Sequence, residues 1–259
     1  MNLRTWRTAG LVASLAIAAL LAGCGNTGMP RASTPANSAA AANLQLGAAY
    51  LQQGDLPIAK EKLERAVAQS PRDPAIHGML AMLYQRLGDS HRADEEFRNA
   101  LSLAPHDPQL LNNYAVYLCD TGRVDEGVKR FADAARDRLY STPWAAYTNA
   151  GVCLRGARRD AEAEPLFAKA LEVRPDYAEA LIQLADLQLR LDRAPEAYAR
   201  VEKFLRVNPP TAEVLMLGWR AARAQDNKVN AAQMAWRLQT EFPDSEQAHA
   251  LGVSRSGKP

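Results

Sequence analysis

Residues 74–107, PAIHGMLAMLYQRLGDSHRADEEFRNALSLAPHD, decide the fold. Leu80, Ala81 and Tyr84 recur at helical spacing, so they share one face of a first helix. Gly88-Asp89 breaks the chain, because glycine takes up turn conformations that other residues resist. Ala93, Phe97 and Ala100 then mark the buried face of a second helix. Asp107-Pro108 supplies an N-cap followed by a proline whose missing N–H costs nothing in a first turn. The stretch therefore predicts two antiparallel helices and the start of a third.

The pattern repeats on both sides. Pro71, Pro105, Pro175, Pro209 and Pro243 punctuate the chain at gaps of 34, 70, 34 and 34, and 70 is one period of 34 plus one of 36. A period of 34 residues is the sequence mark of the tetratricopeptide repeat. Six units are predicted: 40–73, 74–107, 108–143, 144–177, 178–211 and 212–245, the third lengthened around Ser141–Pro143. A column of small residues (Gly47, Ala81, Ala115, Gly151, Ala185) lets paired helices approach, with Trp219 as its misfit in the last unit. A second-helix column (Ala59, Ala93, Gly127, Ala163, Ala197, Ala231) faces it, with Leu63, Phe97, Phe131, Phe167 and Val201 four residues further on. The predicted fold is all-α, a right-handed solenoid of six helix pairs.

First helices line the concave groove of such a solenoid, its usual binding surface. One groove column reads Ala48, Met82, Val116, Val152, then Asp186 and Arg220. It is apolar through four units and charged in two, and apolar residues exposed in a row mark a partner site. Leu44, Leu51 and Met82 extend the patch, or else close the core. Asn113 and Asn149, equivalent in units three and four, suit an extended backbone or caps within the groove.

Residues 1–23 read as a leader. Arg4 and Arg7 precede an apolar run of about 12 residues, too short to span a membrane. Leu21-Ala22-Gly23-Cys24 then resembles the lipobox of bacterial lipoproteins, which implies cleavage before a lipid-bearing Cys24. No Asp follows Cys24, which in that class implies the outer membrane, and several acyl chains anchor stably where one does not. Residues 24–39 form a Pro/Ser/Ala linker, and the tail 246–259 is predicted to be disordered. The chain has 31 basic and 29 acidic residues; losing Arg4 and Arg7 leaves 29 of each, which offers nucleic acid no attraction.

Cys119 and Cys153 remain, on the first helices of units three and four. They either pair, closing a loop of about 35 residues worth about 3–4 kcal/mol, or stay separate thiols, since their columns differ by two places. No metal or cofactor site is expected, because His77, His91, His106 and His249 are scattered. No G-x-S-x-G, P-loop, dinucleotide fingerprint, H-E-x-x-H or C-x-x-C is present, so an enzyme is not expected.

The leader, linker and repeats together resemble the PilF/PilW family of type IV pilus biogenesis lipoproteins. Leu111-Asn-Asn-Tyr-Ala-Val-Tyr-Leu-Cys119 and Thr148-Asn-Ala-Gly-Val-Cys153 are its most specific matches. The resemblance implies a monomeric pilotin that helps the secretin PilQ reach and multimerise in the outer membrane, and a Cys119–Cys153 disulfide. Two other roles suit a solenoid: a general outer-membrane adaptor docking periplasmic enzymes, and a module chaperoning exported clients by their C-termini. The second would prefer a basic, Asn-lined groove, which these columns do not supply.

Overall fold

The computed structural model describes residues 35–256. Cys24, its Leu21-Ala22-Gly23 motif and the linker as far as 34 lie outside the described residues. The helices come in antiparallel pairs: α1 (Pro35–Gln53) with α2 (Leu56–Gln69), α3 (Pro74–Arg86) with α4 (Ser90–Leu103), and α5 (Pro108–Asp120) with α6 (Val124–Arg136). Then come α7 (Pro143–Gly156) with α8 (Asp160–Val173), α9 (Ala178–Arg190) with α10 (Ala194–Leu205), and α11 (Ala212–Ala224) with α12 (Lys228–Glu241). A final helix, α13 (Glu246–Ser256), follows alone. No described helix is long and apolar enough to cross a membrane.

The ends of each helix follow from local chemistry. Asp73 and Asp107 accept hydrogen bonds from the N–H groups of Ala75 and Gln109, both at 2.9 Å, and Pro74 and Pro108 open the helices as expected. Each such cap stabilises by about 1 kcal/mol. Gly54, Gly88 and Gly122 turn the first helix into the second with φ of 84°, 76° and 81°. In the later units Arg158, Asp192 and Asp226 take the same left-handed conformation, with φ of 60°, 57° and 54°.

Between the helices the predicted columns form the core. Phe97, Phe131 and Phe167 are fully buried, as are Ala93, Ala163 and Ala197 opposite the small-residue column. A Cβ at Gly151 would stand 2.5 Å from the Phe167 ring, so that column is small because an aromatic or leucine fills the space. Phe97 also packs against Tyr114 and Tyr117, with centroids 5.2 and 5.4 Å away, which ties unit two to unit three.

A second device, carried by units three to five, joins units two to five. Where units one and two start their second helices with a capping Asp55 or Asp89, these units place Arg123, Arg159 and Arg193. Each arginine bridges its own helix to the preceding second helix. Arg123 pairs with Glu126 and Asp94, Arg159 with Glu162 and Asp125, and Arg193 with Glu196 and Glu164. An R-x-x-E spacing in the sequence carries this ladder, and the repeat columns did not single it out.

The first helices also touch one another in succession, from α1–α3 through α11–α13. Among the described residues no two second helices approach that closely. A stack tighter on one side curves toward that side, so the first helices line the concave face.

Two sequence expectations change, and one misfit is accommodated. The first helix starts at Pro35, so the last five residues of the predicted linker, 35–39, are helical. In unit six Trp219 keeps its place as the misfit of the small column, packed on the cluster of Leu215, Met234 and Ala235, and the close approach falls at neighbouring Gly218, where a Cβ would lie 3.1 Å from Met234 and from Val201. Trp219 is half-buried on that core, and the Arg223 guanidinium stacks 5.1 Å over its ring. The tail is not disordered over 246–256: α13 sits where the first helix of a seventh unit would sit, burying Ala248 and Leu251. It covers the apolar side of α11 and α12 that a terminal repeat otherwise exposes.

Candidate partner-binding groove

The groove is built from one residue position on each first helix. Ala48 on α1, Met82 on α3 and Val116 on α5 are half-buried, and Val152 on α7 is 43% exposed. They form the apolar strip that the column predicted. Leu44 is half-buried and packs on the core from the groove side. Leu51 is not a groove residue: it is 4% exposed and belongs to the core of units one and two. It lies one turn beyond Ala48, near the end of α1.

The asparagines are engaged within the protein. Asn113 Oδ1 accepts from Gln109 Nε2 at 3.0 Å, and Asn113 Nδ2 points at Met82 Sδ, 3.7 Å away. Asn149 Nδ2 donates to Asn112 Oδ1 at 3.2 Å, linking α7 to the buried side of α5. They set the first helices side by side rather than standing free along the groove.

Cys119 and Cys153 are joined, with Cα atoms 5.6 Å apart, in the middle of the range that a disulfide accepts. The neighbouring helices are staggered, so Cys119 faces Cys153 and not its column mate Arg155. Arg155 instead reaches forward to Gln183 and Asp186 of unit five. Beside the disulfide a cleft of about 480 Å³ opens between α5 and α7. Val116, Val152, Phe131 and the two cysteines give it apolar walls, and Asn149 and Asp120 stand in its lining. The two extra residues of unit three precede α7 and set the junction where it opens.

Beyond the cleft the groove becomes ionic. Asp186 pairs with Arg155 at 2.9 Å, Arg220 at 3.0 Å and Arg190 at 3.6 Å. Burial pushes the Asp186 carboxyl up, but Arg220 and Arg155 outweigh it and hold it below the usual carboxylate range. The groove thus offers contact area at units one to four and fixed charges at five and six. Among the described residues no cluster of three metal-ligating side chains occurs.

Comparison with known proteins agrees with this architecture. Family models described as tetratricopeptide repeat match residues 40–83, 79–142, 117–178 and 154–225. The type IV pilus assembly protein PilF of Pseudomonas aeruginosa is 29% identical over 204 residues, covering 79% of this chain and 81% of that one. A solved structure of Pseudomonas aeruginosa PilF superposes with a TM-score of 0.66 at 27% identity, over 85% of this chain and all of that one (100%). The crystal structure of PilW, described as a widely conserved type IV pilus biogenesis factor, gives a TM-score of 0.66 at 29% identity, over 82% of this chain and 97% of that one. These matches run through the repeats and through both cysteine-bearing helices, and the chain belongs to the tetratricopeptide-repeat family, within the PilF/PilW group of type IV pilus biogenesis proteins.

Proposed function

We propose that this chain is an outer-membrane lipoprotein, acylated at Cys24, that acts as a pilotin for the type IV pilus secretin PilQ. The observation that carries the reading is the apolar strip Ala48, Met82, Val116 and Val152, which leads to the cleft beside Cys119–Cys153 in a relative of PilF and PilW. An apolar segment of a secretin subunit lies along the strip and places a side chain in the cleft. The lipid holds this groove beside the inner leaflet, so each captured subunit is concentrated where the multimer must form. The monomeric solenoid is a scaffold and performs no chemistry on its cargo.

The test is secretin assembly in a strain lacking the gene, followed in outer-membrane fractions on gels that preserve heat-stable multimers. Three copies are returned: the natural sequence, Cys24→Ala, and Met82→Glu with Val152→Glu. Secretin monomers accumulating with both variants, and multimers returning with the natural copy, are the expected result. Normal multimers in the deletion strain would overturn the pilotin role in favour of a general adaptor docking periplasmic enzymes. Normal multimers with the groove variant, folded by circular dichroism, would move the contact off this strip.

A further inference from the structure

In a stack of antiparallel helix pairs, every turn from a second helix to the next first helix emerges on the same edge. Three successive turns on that edge expose an arginine beside an apolar residue: Arg138-Leu139, Val173-Arg174 and Arg206-Val207. Leu139 is 92% exposed and Val207 81%, the two highest values among the large hydrophobics of the described residues, and Val173 is 46% exposed. Isolated exposed apolar residues are ordinary. Three in consecutive repeats, each with a cation next to it, form a row.

The arginines are placed to meet anions. Among the described residues no carboxylate pairs with Arg138. Arg206 holds Glu202 at 3.1 Å, and both side chains are exposed. Arg174 holds Asp176 at 3.1 Å and stacks 4.6 Å over the Trp144 ring at the start of α7. Exposed pairs of this kind are worth little and exchange readily for another anion. Leu139 and Val173 project singly, and Val207 borders a cleft of about 120 Å³ with Pro175, Arg200 and Phe204, which is too small to receive a folded partner. A lipid layer needs no shape match: short apolar tips enter the headgroup boundary while arginines and an aromatic sit at its level.

We propose that this edge is a membrane-contacting surface that docks the solenoid against anionic phospholipid. Leu139, Val173 and Val207 enter the interface, and Arg138, Arg174 and Arg206 meet the phosphates. The contact is separate from the groove on the first helices, so the protein binds a client while lying on the membrane. It is also independent of the lipid on Cys24.

The experiment uses the chain from residue 24 on with Cys24→Ser, which cannot be acylated and contains the whole compact unit from Pro35 to Pro259. The probe is flotation with vesicles of phosphatidylglycerol mixed into phosphatidylcholine, against vesicles of phosphatidylcholine alone. The unaltered edge is expected to bind the anionic vesicles and to release at high salt. Each arginine near such a surface contributes about 1 kcal/mol, or about fivefold in partition. Arg138→Glu with Arg206→Glu is therefore expected to lower binding by at least about 25-fold. Leu139→Glu with Val207→Glu is expected to abolish it, while urea midpoints stay unchanged because these side chains are exposed. Absence of binding by the unaltered protein, or equal binding by the variants, would overturn the proposal.

Discussion

Gly127 is the one glycine in a column that elsewhere holds alanine, at Ala59, Ala93, Ala163, Ala197 and Ala231. It lies inside α6, where glycine costs about 1 kcal/mol relative to alanine. The structure supplies the reason: a Cβ at this position would stand 2.5 Å from Cys119 Sγ and 3.0 Å from the Ala115 carbonyl oxygen. The disulfide occupies the volume that alanine fills in the other units. Gly127→Ala in the bridged protein therefore sets a gain of about 1 kcal/mol in helix propensity against overpacking of about 1–3 kcal/mol. The net is a loss of up to about 2 kcal/mol. With Cys119→Ala and Cys153→Ala the sulfur is gone, and the same substitution should stabilise by about 1 kcal/mol, although the background has lost about 3–4 kcal/mol with the bridge. The effect changes sign, with a coupling of about 1–3 kcal/mol. Urea unfolding of the four proteins, followed by far-ultraviolet circular dichroism, measures it. Equal shifts from Gly127→Ala in both backgrounds would refute the assignment of the glycine to the disulfide.

Other expectations follow from single sites. Gln188 is fully buried, its Oε1 has no hydrogen-bond partner, and its column holds apolar Leu118 and Leu154 in the units before it. Gln188→Leu should stabilise by about 1 kcal/mol, read as a higher urea midpoint, because an unpaired buried oxygen is removed while Arg193 keeps Glu164 paired. His77 Nδ1 lies 2.6 Å from Glu96 Oε2 and its Nε2 2.9 Å from the Pro71 carbonyl oxygen, so both ring nitrogens face acceptors, an arrangement that favours the protonated ring. Burial pushes its pKa down, but Glu96 and Pro71, with Asp73 nearby, outweigh it and raise it. The resulting stability is complete below the unfolded pKa of about 6.5 and is lost as pH rises through the higher folded value. The urea midpoint should accordingly fall across that window, and His77→Asn should remove that part of the pH dependence. Arg158 holds a φ of 60° at a turn where Gly54, Gly88 and Gly122 stand in earlier units. Arg158→Gly should thus raise the thermal midpoint, corresponding to about 1 kcal/mol of relieved strain.

Much of the solenoid was legible because it is written in local terms. The prolines, the capping aspartates and the turn glycines act within a few residues. The columns Leu63 to Val201 and Ala59 to Ala231 repeat because each helix pair solves the same packing problem. Where the repeat frays, the reading was less accurate. Trp219 fills the small column in register, and what the count did not show is that Gly218 beside it is the close approach to Met234 and Val201. The tail looked polar and short, yet Ala248 and Leu251 are enough to seat α13 on the open end of unit six.

The groove residues divide along the same line. By itself the sequence determined the architecture, the register of the units and the apolar character of the column Ala48, Met82, Val116 and Val152. Those properties depend on a 34-residue period and on the 3.6-residue turn of the helix, both visible in one dimension. Only the tertiary structure decided that Leu51 is core while Val152 is open, that Cys119 meets Cys153 across differing columns, and that the slip in unit three sits beside a cleft. It also decided that Arg123, Arg159 and Arg193 reach back to the preceding unit. Each of these depends on the stagger and curvature between neighbouring helix pairs, which arise from the fit of whole helices against one another and leave no period in the sequence to read.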